Sequence, residues 1–293
     1  MILSRKSTTL ICIFVTVLLF CNFNANLNPE QKTDVKNGLF LTKSLLIMII
    51  GSKLLFFENL PSTNIHATDL LKKIDLPEGT IVYTNYQLAG RGHTRNKWES
   101  EDSKNLLISI ILFPSFIKPE DQFHISMAIS LGICDFLMRY IPDCSIKWPN
   151  DIYVNNDKIA GILIESSLTG NRIEFTIAGI GLNINQESFL SNAPNPISLR
   201  LLSGHNYDLR DCLNNLGSDL DKRYKQLIAG DSGDIKKEYV SKLYRLNEWH
   251  EFRDVCGIYT GRILTVGDFG RIKIEKQSGN ISEYSFKETE FIL

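Results

Sequence analysis

KWPNDIYVNNDKIAGILIESSLTGNRIEFTIAGIGLNIN, residues Lys147–Asn185, reads as consecutive β-structure. Ser145–Trp148 is a short strand stopped by Pro149, which cannot donate to a ladder. Asn155-Asn156-Asp157 is a turn between the strands Ile152–Val154 and Lys158–Glu165, and Arg172–Ile184 is the next strand. Side chains alternate along a strand, so Gly179, Gly181 and Asn183 share one face while Ala178, Ile180, Leu182 and Ile184 take the other. One face is apolar; the other is stripped of side chains, with an amide at its end. By the same alternation Ile159, Gly161 and Leu163 share a face. Lys158 follows the turn directly, so parity does not fix its direction.

Upstream, Leu54–Phe57 is a short strand, and Ser62 is placed to N-cap a helical pattern from Ile65 to Ile74. Thr80–Asn85 is a second strand, and Asn105–Phe113 is a third, too apolar for a surface. Asp121–Tyr140 is a helix with Phe123, Met127, Leu131, Cys134 and Met138 on its apolar face. Downstream, Leu209–Ile228 carries Leu209, Leu213, Leu216, Leu220, Tyr224 and Leu227 at helical spacing. After that, helical periods end and short strands alternate with Gly turns, as in a small β barrel or sandwich. The expected class is α+β: a mixed, mostly antiparallel sheet with flanking helices, followed by a small β domain. The divisions are an extension 1–47, a main domain 48–248 and a β domain 249–293.

With 293 residues, 43% of them apolar, the chain can bury a sizeable core. Its net charge of −1, without charged tails, excludes a basic nucleic-acid-binding body. Cys12, Cys21, Cys134, Cys144, Cys212 and Cys256 are far apart with no CxxC pair, which argues against a zinc knuckle or a disulfide scaffold. Arg5 and Lys6 precede an apolar run, Thr8–Cys21, shorter than the ~20 residues of a full span. Three readings stay open for it: a membrane anchor, an export signal, or an upstream extension outside the working protein. Met48 precedes the first recognisable structure.

Three segments look built for a ligand. In GRGHTRNKW, Gly90–Trp98, Gly90 and Gly92 allow backbone N–H groups close to an anion; Arg91, His93, Arg95 and Lys97 add basic groups, and Trp98 offers a flat aromatic face. A solvated basic loop is the plainer reading. In KWPND followed by KIAGILIE, Asn150 and Asp151 lie just past a strand end, where a carboxylate can help hold Mg²⁺, and Gly161 leaves room against the backbone. A plain turn and a surface Lys158 are the alternatives. In GIGLNIN, Gly179–Asn185, the glycines fit either a ligand trough or close packing. Together they describe a pocket with an apolar floor, a cationic lid, a lysine and an amide–carboxylate pair, suited to a small carboxylic acid activated by a nucleotide.

STN (Ser62–Asn64), Gln87 with AGRG and Trp98, KWPND, KIAGILIE and GIGLNIN occur in the order and at the spacing of the biotin–protein ligases, which the chain resembles from about Leu54 to its C-terminus. The resemblance implies a class II synthetase-like catalytic fold and a C-terminal SH3-like barrel. It implies ATP and Mg²⁺, biotin as substrate, and the biotin carboxyl carrier domain of a carboxylase as partner. Ser62, Thr63, Asn64 and Gln87 would bind biotin, with the loop Gly90, Arg91, Gly92 and His93 ordering over it. Lys158 would sit between the biotin carboxylate and the α-phosphate, and with Arg91 would be catalytic. Gly161 and Gly179 would let the valeryl chain lie on the sheet, and Trp98 would pack on adenine. Asn150, Asp151 and Asn183 would serve the Mg²⁺–phosphate end, Asp151 as metal ligand; Lys147 either assists there or is structural.

The chain departs from the family at His93, partly charged near neutrality, and at Thr94-Arg95, where a basic-Gly pair is commoner. The departure bears on loop rigidity and adenylate retention. The first 47 residues carry no recognition-helix pattern, so the form without a DNA-binding domain is expected, with no nucleic-acid partner. ATP chemistry calls for the cytoplasm and so favours the extension reading, leaving membrane association through residues 8–21 and a homodimer as open partner states. The rival enzyme is a lipoate–protein ligase; the rival of another class is a membrane-tethered biotin sensor.

Overall fold

The computed structural model describes residues 48–93, 96–190 and 195–292. The apolar run Thr8–Cys21, its two cysteines and Thr94-Arg95 lie outside the described residues. Residues from Met48 onward form one unit. The chain order is β1 (Leu54–Leu60), α1 (Thr63–Leu71), β2 (Ile81–Gln87), β3 (Leu106–Leu112), α2 (Phe123–Leu137), β4 (Ser145–Lys147), β5 (Asp151–Val154), β6 (Asp157–Thr169) and β7 (Arg172–Leu182). The helices α3 (Leu199–Ser203), α4 (Leu209–Ile228) and α5 (Ser232–Ser241) follow. The chain closes with β8 (Trp249–Asp254), β9 (Gly257–Val266), β10 (Ile272–Lys276), β11 (Ile281–Tyr284) and β12 (Thr289–Phe291).

The first sheet has seven strands in the order β1-β2-β3-β7-β6-β5-β4, and the second has five in the order β11-β10-β9-β8-β12. Only the β1–β2 pair is parallel; every other pairing in both sheets is antiparallel. This is the α+β architecture read from the sequence. Among the described residues, no helix is long and apolar enough to cross a membrane.

The seven-stranded sheet is covered unequally. On one face, α2 and α4 pack against Ile108, Ile110, Ala178, Ile180 and Leu182, and this core continues into Phe252, Ile263 and Ile272 of the second sheet. On the other face, α1 covers Val82, Ile111 and Ile177 in a smaller cluster. The rest of that face carries Gly161, Gly179 and Gly181, where apolar cover stops.

Several local expectations are corrected. Ser62 occupies the N-cap position of α1, yet its side chain makes no capping bond. Met138 lies past the end of α2 and is exposed rather than on its apolar face. The β5–β6 turn is two residues long, with Asn155 in the left-handed region at φ 55°, and Asp157 already belongs to β6. The helix α5 has no counterpart in the sequence reading, because it buries only Ile235 and Tyr239, a stripe too thin to register as a periodic face. Cys134, Cys144 and Cys212 are buried free thiols, and Cys256 is exposed and free.

Charge ties the helices together. Arg223 on α4 makes a paired contact with Asp135 on α2 (2.5 and 2.8 Å) and another with Glu238 on α5 (2.6 and 2.6 Å). Its side chain is 10% exposed, so removing it strands two carboxylates. Arg223→Met is expected to lower unfolding stability by about 3 kcal/mol. Urea titration checks this, and a loss below about 1 kcal/mol would place the cluster among ordinary surface pairs.

Candidate active site

The bare face of the sheet forms the floor of a cleft. Its lining includes Ser62, Thr63, Asn64, Gln87, Arg91, Gly92, His93, Trp98, Asn150, Asp151, Lys158, Gly161 and Gly179. The three sequence segments singled out as ligand-built therefore meet in one place. Lys147 and Asn183 do not line it.

Lys158 reaches the cleft through an irregularity. Tyr153 pairs with Lys158 and Ile152 with Ala160, so Ile159 is an extra residue in β6. A bulge of this kind resets side-chain parity. Lys158 consequently shares a face with Gly161, while Ile159 turns into the helix-side core and is fully buried. This corrects the expectation that Ile159, Gly161 and Leu163 share a face; simple alternation fails across the bulge. The backbone of Lys158 is fixed by Asn195 and Ile197, its N–H donating to the Asn195 carbonyl and its carbonyl accepting from the Ile197 N–H. Lys158 Nζ lies 2.7 Å from Asp151 Oδ1, and both side chains keep about a quarter of their surface exposed (24% and 23%). The ammonium also stands 5.7 Å from the centre of the Trp98 ring.

The bare faces are covered by protein groups. A Cβ at Gly181 would lie 2.3 Å from the Trp98 indole, and one at Gly161 would lie 2.9 Å from it. The indole thus lies flat along two paired glycines, Gly161 opposite Gly181. A Cβ at Gly179 would lie 2.2 Å from Asn64 Oδ1, so the space expected for a ligand chain there is taken by an amide. Asn64 is almost fully buried: its Nδ2 donates to Leu163 O and to Glu165 Oε2, and its Oδ1 accepts from Ser109.

Residues Gly90–His93 and Asn96–Trp98 pair as two arms and form a lid on the cleft rather than an open anion loop. Gly92 N–H donates to Asn96 O, Trp98 N–H donates to Gly90 O, and Arg91 bridges Lys97. Gly90 is required by close approach, since a Cβ there would meet Trp98 O at 2.5 Å. Arg91 does not point a lone cation into the cleft: its guanidinium grips the Glu165 carboxylate at 2.6 and 3.2 Å. Glu165 is a site residue that sequence reasoning missed. It ends the quoted KIAGILIE segment, and alternation from Gly161 through Leu163 would have placed it on the cleft face.

In the lining of the cleft, Gln87 Oε1 accepts from both the N–H and the hydroxyl of Thr63, which leaves the Gln87 amide nitrogen as the group available to a ligand carbonyl. His93 on the lid stacks edge-on against Phe286, in the turn between β11 and β12, ring centres 5.8 Å apart. Burial, with Lys287 assisting and Asp151 opposing, holds the His93 pKa below its ordinary value. Phe286 also packs on Phe123 and Trp148, and Trp148 Nε1 donates to Gly270 O at 2.8 Å, fastening the second sheet beside the cleft.

Lys147 lies apart from the cleft. Its Nζ bonds the Tyr153 hydroxyl at 3.1 Å and sits over the Phe291 ring. Burial lowers its pKa to about 8, with Asp151 opposing and Lys158 adding to the shift. These contacts join β4 to the last strand of the second sheet. Asn183 is buried; its Nδ2 donates to Ile197 O, while its Oδ1 has no partner among the described residues. Among those residues no three His, Cys, Asp or Glu side chains cluster as a metal cage. A single cleft carboxylate, Asp151, matches the way Mg²⁺ is usually held, by one or two carboxylates with substrate phosphates.

Residues 56–183 match the family described as biotin/lipoate A/B protein ligase. The bifunctional ligase/repressor BirA of Bacillus spizizenii is 28% identical over 243 residues, covering 81% of this chain and 74% of that protein. The biotin–[acetyl-CoA-carboxylase] ligase of Paracoccus denitrificans is 28% identical over 197 residues, 64% of this chain and 79% of that one. Among solved structures, the biotin protein ligase from Aquifex aeolicus in complex with biotin and ATP shares the fold with a TM-score of 0.68 at 24% identity, covering 81% of this chain and 97% of that chain.

Proposed function

We propose that the chain, whose residues 56–183 match the biotin/lipoate A/B protein ligase family, is a biotin–protein ligase, which activates biotin with ATP and transfers it to a lysine of a carboxylase carrier domain. The observation that carries this reading is the bulge that turns Lys158 into the glycine-floored cleft beside Asp151.

The chemistry needs such a cleft. A carboxylate is a poor acyl donor because oxide is a bad leaving group. When the biotin carboxylate attacks the α-phosphorus of ATP, the bond to pyrophosphate breaks and biotinoyl-AMP forms. Two anions must meet, so a fixed cation is required where their charge concentrates. Lys158 is that cation, held in place by Asp151 and by its backbone bonds to the segment 195–197. The acceptor amine then attacks the acyl carbon and AMP leaves. No covalent enzyme intermediate is formed.

Ser62, Thr63 and Gln87 would receive the polar head of biotin, with the Gln87 amide nitrogen facing its carbonyl. The hydrocarbon chain would run over Gly161, and the Trp98 indole would swing from the glycine floor to stack on adenine. Asp151 would hold Mg²⁺, which when bound neutralises phosphate charge. The lid keeps water from the mixed anhydride, which water would hydrolyse. Dependence on ATP assigns the protein to the cytoplasm.

The test is ATP-dependent transfer of biotin to a purified carboxylase carrier domain by the full chain, with lipoate run in parallel. Transfer of biotin alone is the expected result. Pyrophosphate release triggered by lipoate but not by biotin would replace the reading with a lipoate ligase. Tight biotin binding without transfer would replace it with a sensor.

A further inference from the structure

We propose that Glu165 is a positioning residue that latches the lid over the activated acid; the proposal rests on the ligase reading. Glu165 lines not the cleft but the neighbouring groove that shares Arg91, so its role lies outside the reaction itself. Its surroundings explain it. Glu165 Oε1 and Oε2 take both ends of the Arg91 guanidinium, at 2.6 and 3.2 Å, and Oε2 also accepts from Asn64 Nδ2 at 2.9 Å. Forked arginine–carboxylate contacts are the strong and directional kind.

Asn64 is itself immobilised. Ser109, fully buried in β3, donates to its Oδ1 at 2.6 Å, and its Nδ2 also donates to the Leu163 carbonyl at 3.1 Å. The bare backbone of Gly179 gives it room. A polar chain thus runs from the sheet interior through Asn64 and Glu165 to Arg91 on the lid. The carboxylate at its end is aimed by buried groups rather than drifting in solvent.

Trp98 leaves Gly161 when it stacks on adenine, so once the acid is activated the lid's remaining hold on β6 is Arg91 on Glu165, four residues further along the same face. While the latch is closed the Arg91 guanidinium is directed at Glu165, so Arg91 acts by holding the lid and Lys158 is the cation at the reacting centre. Both latch side chains are about 40% exposed (42% and 37%), so the latch can open without unfolding anything.

The test uses the full chain loaded with labelled biotin and ATP, followed by a chase with unlabelled biotin to read release of biotinoyl-AMP. Glu165→Gln keeps an oxygen for Asn64 and loses the charge. Release is expected to quicken about five- to tenfold, with an unchanged thermal midpoint. Arg91→Gln should give the same acceleration, and the double variant no more than either single one, because both residues act through one contact. Arg91→Lys, which keeps the charge and loses the fork, should fall between. Release from Glu165→Gln at the wild-type rate, or effects that add in the double variant, would overturn the latch and leave the ligase reading standing. If the wild type forms no biotinoyl-AMP, the ligase reading itself falls.

Discussion

Lys158→Ala is expected to slow ATP-dependent formation of biotinoyl-AMP by about 10²–10³-fold, the usual cost of removing one pre-placed charge-stabilising group. The loss should appear at saturating biotin and ATP, because the ammonium matters most where charge develops. Stability should hardly change: Lys158 keeps 24% of its side chain exposed, and the bulge that orients it is made by backbone pairing and by the buried Ile159. The alanine variant also leaves Asp151 without its 2.7 Å partner, so its requirement for Mg²⁺ should change along with its rate. Single-turnover pyrophosphate release measures the step directly. A variant that reacts within a factor of about three of wild type would remove Lys158 from the chemistry, since such a change is under 1 kcal/mol.

Gly179→Val is expected to weaken biotin binding at least about 100-fold, the scale on which small displacements of positioned groups act. The first atom of any side chain at this position would lie 2.2 Å from Asn64 Oδ1, and valine adds two methyl groups beyond it. Asn64 must leave, and with it go the bonds to Ser109, Leu163 and Glu165. Overpacking of this kind costs about 1–3 kcal/mol of stability, small beside the loss of binding. Titration calorimetry with biotin, paired with urea unfolding, separates the two effects. Biotin bound as tightly as by wild type would show that Asn64 and the space above Gly179 are unrelated to the ligand.

The architecture was legible where periodicity was strong. The helix Leu209–Ile228 and the alternation from Ala178 to Leu182 needed only the spacing of apolar residues, and order and turn length then implied an antiparallel sheet. Three kinds of feature escaped. The helix α5 has too few buried positions to show a period. The direction of Lys158 depends on one extra residue against β5, a pairing fact that no single strand contains. The partners of the cationic residues were hidden because neutralisation is a matter of three dimensions: Arg91 meets Glu165 across 74 positions of sequence, and Lys147 rests under an aromatic ring from the last strand. The quoted segments converge on one cleft, and pairing decides which of their charged side chains stand in it.

The Trp98 indole resting on Gly161 and Gly181 also has an optical consequence. The chain has three tryptophans, in three surroundings: Trp98 half-buried on the lid, Trp148 buried and bonded to Gly270, and Trp249 44% exposed beneath the guanidinium of Arg262. Trp148 belongs to the hydrophobic core and cannot leave it without disturbance, whereas Trp98 rests on bare glycine backbone. With phenylalanine at positions 148 and 249, the remaining emission comes from the lid alone. Its wavelength and its quenching by iodide then follow each opening and closing in real time, without an attached dye. The residue that packs the empty floor doubles as a lamp on the door.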